Sequence, residues 1–290
     1  MAAAIAPADS TLLDAVRTIR WPARKKSPAG PAGAHLSNML GVSAEFTEYR
    51  AYRQGDETRR IDWKLLARSN RAYIRLSNDR TIISTMLLVD ASASLAYPAG
   101  SLEKWIYARQ LVLGLASAAH SGGDPVGLTV VSAGETRRLQ PKTRRGAVYD
   151  IARVLDEVVP AGSAGLAPVV PTLRSAGRIA IVSDFLGDSD ALLTVASHLT
   201  AAGKEVHAIH VIHSDELDPP KRATLLTDPE DPSLRRPVTS ETRREYLERF
   251  GAWREQIARD WRMAGAYYFA CPTSEPAARA VRRIAEARGG

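Results

Sequence analysis

The chain is poor in cysteine, has no apolar run long enough to cross a bilayer, and lacks the short motifs that carry nucleotide or nucleophile chemistry. Its one cysteine, Cys271, excludes an intramolecular disulfide framework and fits a reducing compartment. It ends the strand-like run Ala266-Tyr267-Tyr268-Phe269-Ala270 and is expected to be buried and inert. Met1 to Pro7 are small and apolar but lack a basic n-region and a long apolar core, which argues against a secretory signal. No stretch approaches the roughly 20 apolar residues of a spanning helix, so a cytoplasmic protein is expected, with room for a peripheral position on a membrane-bound partner. There is no Gly-x-x-x-x-Gly-Lys-Ser/Thr to cradle phosphates and no Gly-x-Ser-x-Gly elbow for a hydrolase. No catalytic signature is left, and any ATP hydrolysis would have to come from a partner. No internal repeat is visible.

What is present supports a globular protein: 290 residues, 45% hydrophobic and 24% charged, suffice for one large domain or two smaller ones. The net charge of +7 is uneven, because residues 17–80 carry 14 Lys/Arg against 6 Asp/Glu, a net +8. A basic patch invites a nucleic-acid reading, but these arginines are interleaved with acids and aromatics, as in ion-paired packing, so nucleic acid is not the expected partner. Trp21, Pro22, Arg24, Lys25 and Lys26 read as part of a flexible basic arm over residues 1–32.

The strongest chemical signal is Asp90-Ala91-Ser92-Ala93-Ser94, which follows the apolar run from Thr81 to Val89 without a gap. Such a run reads as a strand buried on both faces of a parallel sheet, with Asp90 at its carboxyl end, where open α/β sheets bind ligands. One carboxylate and two hydroxyls at alternate positions are hard oxygen donors suited to a small divalent cation. Arg178 to Ser183 is a second apolar strand, and the Asp184 that follows it supplies a second carboxylate. Between the two, Val126–Ser132 and Arg137–Leu139 read as a hairpin turning at Ala133-Gly134, with Thr143 in a loop before a helix. Any one of these residues alone would serve as a helix cap or turn former; Asp90, Ser92, Ser94 and Asp184 in this order favour a metal, while for Thr143 the two readings balance.

The order of acid-x-Ser-x-Ser, loop threonine and strand-terminal acid resembles the metal-ion-dependent adhesion site (MIDAS) of von Willebrand factor type A domains. The resemblance implies Mg²⁺ or Mn²⁺ held by Asp90, Ser92 and Ser94 directly or through water, with Thr143 as a loop ligand and Asp184 as a further, often water-mediated one, although the usual Asp-Gly pair is Asp184-Phe185 here. Upstream, Arg50-Ala51-Tyr52-Arg53-Gln54-Gly55-Asp56 and Arg59-Arg60-Ile61-Asp62-Trp63, then Arg68, are similar to the signature of domain-of-unknown-function family 58, whose members place it just before a von Willebrand A-like domain. That resemblance implies a non-catalytic adaptor that captures a partner's carboxylate at the metal and works with a MoxR-type AAA+ ATPase. The alternative is a metal-dependent phosphoesterase or nuclease using Asp90 and Asp184.

In the signature itself, Gly55-Asp56 reads as a tight turn, and Arg60 with Asp62 as partners around a buried Trp63, which together would latch residues 33–80 onto the main domain. The competing reading is a recognition surface of Arg50, Arg53, Arg59 and Arg68. The rest of the chain alternates: helices over 102–120, 147–158, 189–202, 241–264 and from about Glu275, with strands over 205–213 and 266–271. The expectation is a doubly wound, mainly parallel α/β sheet over residues 81–290, Rossmann-like, with a Pro-rich inserted hairpin at about 214–240. His207, His210 and His213 are expected in the core or at an edge, since His210 would face away from the other two on a strand.

Overall fold

The computed structural model describes residues 7–23, 46–54, 58, 61–77, 82–187, 189–220, 225–227, 235–237 and 239–287. Gly55, Asp56, Arg59 and Arg60 lie outside these. The chain divides into two compact units, Pro28–Thr81 and the remainder, Met1–Ser27 with Ile82–Gly290.

The larger unit opens with helix α1 (Pro7–Val16). In the smaller one, β1 (Phe46–Ala51) pairs antiparallel with β2 (Tyr73–Ser77), and α2 (Trp63–Ser69) lies between them in sequence. Asp62 starts α2 as its N-cap, its carboxylate accepting from the Leu65 N–H at 3.0 Å and from the Tyr49 hydroxyl at 3.0 Å. Asn70 ends the helix in the left-handed conformation its short side chain tolerates. Tyr52 donates its backbone N–H to Ala72 at 2.9 Å, and Arg50 lies on β1. Trp63 is 61% exposed, not buried as its place in the signature suggested, because α2 buries none of its residues and Trp63 occupies its first turn. Arg53 and Arg68 are exposed as well.

The larger unit continues with β3 (Thr85–Asp90), α3 (Glu103–Ser121), β4 (Val126–Ser132), β5 (Glu135–Lys142), α4 (Ala147–Asp156), β6 (Arg178–Ser183), α5 (Ser189–Ala201), β7 (Glu205–Ile212), α6 (Ser214–Leu217), β8 (Leu225–Thr227), β9 (Arg235–Pro237), α7 (Ser240–Met263), β10 (Tyr267–Pro272) and α8 (Ala277–Glu286). Six strands form one sheet in the order β10-β7-β6-β3-β4-β5, all pairs parallel except the β4–β5 hairpin. β8 and β9 make the small inserted hairpin.

The central strands are apolar on both sides because both faces are covered. Leu87 and Val89 of β3 pack with α1, α3, α4 and α8, while Met86 and Leu88 join the side of α5 and α7. His207 meets Trp21, Tyr267 and Phe269 on the first face; His210 meets Phe185, Trp253 and Tyr268 on the second. No group of three His, Cys, Asp or Glu side chains gathers to hold a metal among the described residues.

Residues 7–23 are not the free arm that their charge and prolines suggested. Val16, Ile19 and Trp21 are buried in the core beside α3 and α8. Arg178, fully buried at the start of β6, explains the fixation of the segment's end: its guanidinium donates to the carbonyls of Trp21 (3.0 Å) and Pro22 (2.8 Å), ion-pairs Glu205 at 3.1 Å and Asp124 at 3.4 Å, and lies 4.4 Å from the Trp21 ring. No sequence period reveals such an anchor, because it joins residues more than 150 positions apart.

Candidate metal and partner site

β3 delivers Asp90 to the carboxyl edge of the sheet, and the next residues turn directly into a short 3-10 helix over Ala93–Ala96. Asp90 is 6% exposed. One carboxylate oxygen accepts from the Ser92 backbone N–H at 2.8 Å, and the other accepts from the Ser183 hydroxyl at 2.6 Å. Ser92 and Ser94, both buried, hold their hydroxyl oxygens 2.9 Å apart. The sequence order has therefore become a single cluster of one carboxylate and two hydroxyls.

Parallel pairing of Val89 with Val182 sets Ser183, not Asp184, level with Asp90. Ser183 was missed in the sequence because a lone strand serine carries no signal of its own. Its hydroxyl joins two elements, donating to Asp90 and accepting the Phe185 N–H at 2.9 Å. Phe185 has a φ of 55°, the left-handed region that a glycine would occupy without strain and that costs other residues about 1–2 kcal/mol. Its ring is buried and packs at 5.2 Å from Trp261, so core packing holds the phenylalanine where the von Willebrand A pattern has glycine.

Asp184 is buried one position further on, and both of its oxygens are engaged. Oδ2 receives the Lys104 ammonium at 2.8 Å and Oδ1 the Leu186 N–H at 3.2 Å. Lys104 bonds in addition to Glu216 at 2.6 Å. Sequence reading passed over Lys104, yet a signal existed. Lys104, Ala108, Leu111 and Leu115 fall on one buried stripe of α3, and a lysine in such a stripe demands internal counter-charges.

Burial, and after it the Asp184 charge, push the Asp90 carboxyl up to about 6 against the hydrogen bonds from Ser183 and Ser92. For Lys104, burial works against the charge, but Asp184 and Glu216 outweigh it and hold the ammonium above its ordinary pKa. Burial takes the nearby His210 down to about 3 and keeps it neutral.

Thr143 is not part of this cluster. It follows Lys142, which pairs with Val126, and Val126 pairs with Thr85 at the start of β3. Thr143 therefore lies at the amino edge of the sheet, about 17 Å from Asp90 by the rise of five strand residues, and its carbonyl lies 3.2 Å from His120 Nε2. The hairpin returns the chain to the wrong end of the sheet, and α4 must be traversed before it comes back. The loop that does reach the site follows α4: the Ala161 N–H bonds to the Ala91 carbonyl at 3.0 Å, and the Gly162 carbonyl accepts from Ala93 at 2.8 Å. Gly162 has a φ of 59°, and a Cβ there would lie 3.0 Å from Ala133 Cα, so a side chain at this position would be both strained and crowded. Ser163, exposed, follows Gly162 in this loop.

The family model described as protein of unknown function DUF58 matches residues 48–256, more than two thirds of the chain. The chain belongs to this family. Uncharacterized protein Rv1480 of Mycobacterium tuberculosis is 29% identical over 97% of this chain and 92% of its own length. The same figures hold for uncharacterized protein Mb1516 of Mycobacterium bovis. Among solved structures, the hypothetical protein BatB from Bacteroides thetaiotaomicron is 15% identical, covering 70% of this chain and 96% of its own, with a TM-score of 0.46. The VWA domain of SpRpn10 is 12% identical, covering 69% and 94%, with a TM-score of 0.40.

In this DUF58 chain the donor set fits a hard cation in part. Asp90, Ser92 and Ser94 gather one carboxylate and two hydroxyls whose remaining lone pairs suit Mg²⁺ or Mn²⁺. Asp184 is paired with the buried Lys104 ammonium. No helix among the described residues is long and apolar enough to cross a membrane.

Proposed function

We propose that this chain is a non-catalytic adaptor that captures an acidic side chain of a partner protein at a divalent cation, Mg²⁺ or Mn²⁺, held by Asp90, Ser92 and Ser94. The observation that carries the reading is Asp90 itself. The fold buries this carboxylate at the strand ends, raises the cost of its charge and lines it with two further oxygen donors. A divalent ion there would relieve that cost. Held by one protein carboxylate, it would keep net positive charge and exchangeable waters, which an incoming carboxylate can replace. The phosphoesterase or nuclease alternative needs Asp184 free as a second ligand, and Lys104 occupies it.

The proposed partner is a MoxR-type AAA+ ATPase, supported by the family-58 signature over residues 50–68. A cytoplasmic setting accords with the single cysteine. Calorimetric titration with Mg²⁺ should show one site in the wild type and none in Asp90→Ala. Pull-down of a MoxR-type ATPase should need the metal and should weaken for Ser92→Ala at unchanged melting temperature. A complex that survives chelator and dissolves in moderate salt would instead rest on the basic residues 17–80 and end the metal-bridged reading.

A further inference from the structure

Beside the metal donors stands a charged cluster that the proposed function leaves unused. The Lys104 ammonium is 1% exposed and bridges two carboxylates from different elements, Asp184 after β6 and Glu216 on α6. Glu216 is itself fixed, its second oxygen accepting the His213 N–H at 2.6 Å. A buried ammonium is tolerated only when paired in this way, and removal of one partner strands the other's charge. For Asp184 to enter a metal's coordination shell, it would have to give up this ammonium.

We infer that Lys104 is a built-in cation that withholds Asp184 from the metal and so determines what the site can bind. The inference rests on the metal reading above and deepens it. With Asp184 withheld, a divalent ion faces Asp90 as its one protein carboxylate and stays net positive, which makes it a receptor for a partner's acidic group. With Asp184 admitted, the same ion would be neutralised by the protein and would hold the partner weakly. Lys104 gives Asp184 an internal counter-ion, which leaves Asp90 as the carboxylate that an ion would stabilise.

The test uses the full chain, with MgCl₂ as the probe in titration calorimetry and in thermal melts. Lys104→Met removes the charge and keeps an unbranched side chain one atom shorter. It should bind Mg²⁺ at least tenfold more tightly than wild type, and its melting temperature should rise with Mg²⁺ far more than the wild type's. In the double variant Lys104→Met/Asp184→Asn the tightening should vanish. Asp184→Asn alone, which does not depend on the folding of Lys104→Met, should leave Mg²⁺ affinity within twofold of wild type. A tenfold loss in Asp184→Asn would make Asp184 a metal ligand and overturn the inference. So would a folded Lys104→Met that binds no more tightly. Binding by Lys104→Met but not by wild type would uphold the inference and end the metal-bridged function; binding by wild type with no gain in Lys104→Met would do the reverse. Binding by neither would end both.

Discussion

Trp21→Ala is expected to lower the free energy of unfolding by about 3–5 kcal/mol, the range for emptying a large aromatic site in a packed core. Trp21 is 1% exposed, with its ring edge-on to His207 at 4.9 Å and beneath the Arg178 guanidinium at 4.4 Å. Its removal leaves a cavity and takes away one wall around a fully buried cation. Trp63→Ala, by contrast, should change stability by no more than about 0.5 kcal/mol, the usual scale for surface positions, because that ring is 61% exposed. Urea melts of the two variants beside wild type decide the matter. If Trp21→Ala unfolds at the wild-type midpoint, residues 7–23 are a free arm after all. A large loss in Trp63→Ala would restore the buried latch, whereas the expected small one leaves that ring to recognition.

The sheet was readable because its strands are buried on both faces. Runs such as Met86–Val89 and Ile179–Val182 leave no polar position, and only a covered parallel sheet asks for that. The helices followed from their spacing, and the Pro-rich insertion from its punctuation, to within a residue or two at most ends. What escaped were contacts that depend on distant partners. Residues 7–23 look like a polar tail by composition, and they become part of the core through Arg178, whose burial is invisible until β6 and β7 are paired. Thr143 was misplaced for a related reason. Sequence order does not say at which end of a sheet a loop lies, and the antiparallel return of β5 puts the threonine at the amino edge. The core of the site, Asp90 with Ser92 and Ser94, was legible because it is local, whereas Ser183, Lys104 and the Gly162 loop reach it from three separate parts of the chain.

Asp90→Asn should stabilise the metal-free protein at neutral pH while removing its response to Mg²⁺. The sign follows from the carboxyl's pKa, raised to about 6 in the fold from 3.8 in the unfolded chain. Between about pH 4 and 6 the folded state then holds a proton that the unfolded state has lost, so stability falls as pH rises through that window and levels off above it. Two pKa units correspond to a cost on the order of 3 kcal/mol for the ionised, cation-free carboxylate at pH 7. Asparagine keeps the shape and can still accept the Ser92 N–H, but it carries no charge to desolvate. In chelator, the variant should therefore melt above wild type at pH 7, and the two should converge near pH 4, where the wild-type carboxyl is protonated in the fold. Saturating Mg²⁺ should raise the wild type and leave the variant where it was. A variant less stable than wild type in chelator at pH 7 would mean that the Asp90 charge is already compensated within the protein. The cation would then have no electrostatic reason to bind there.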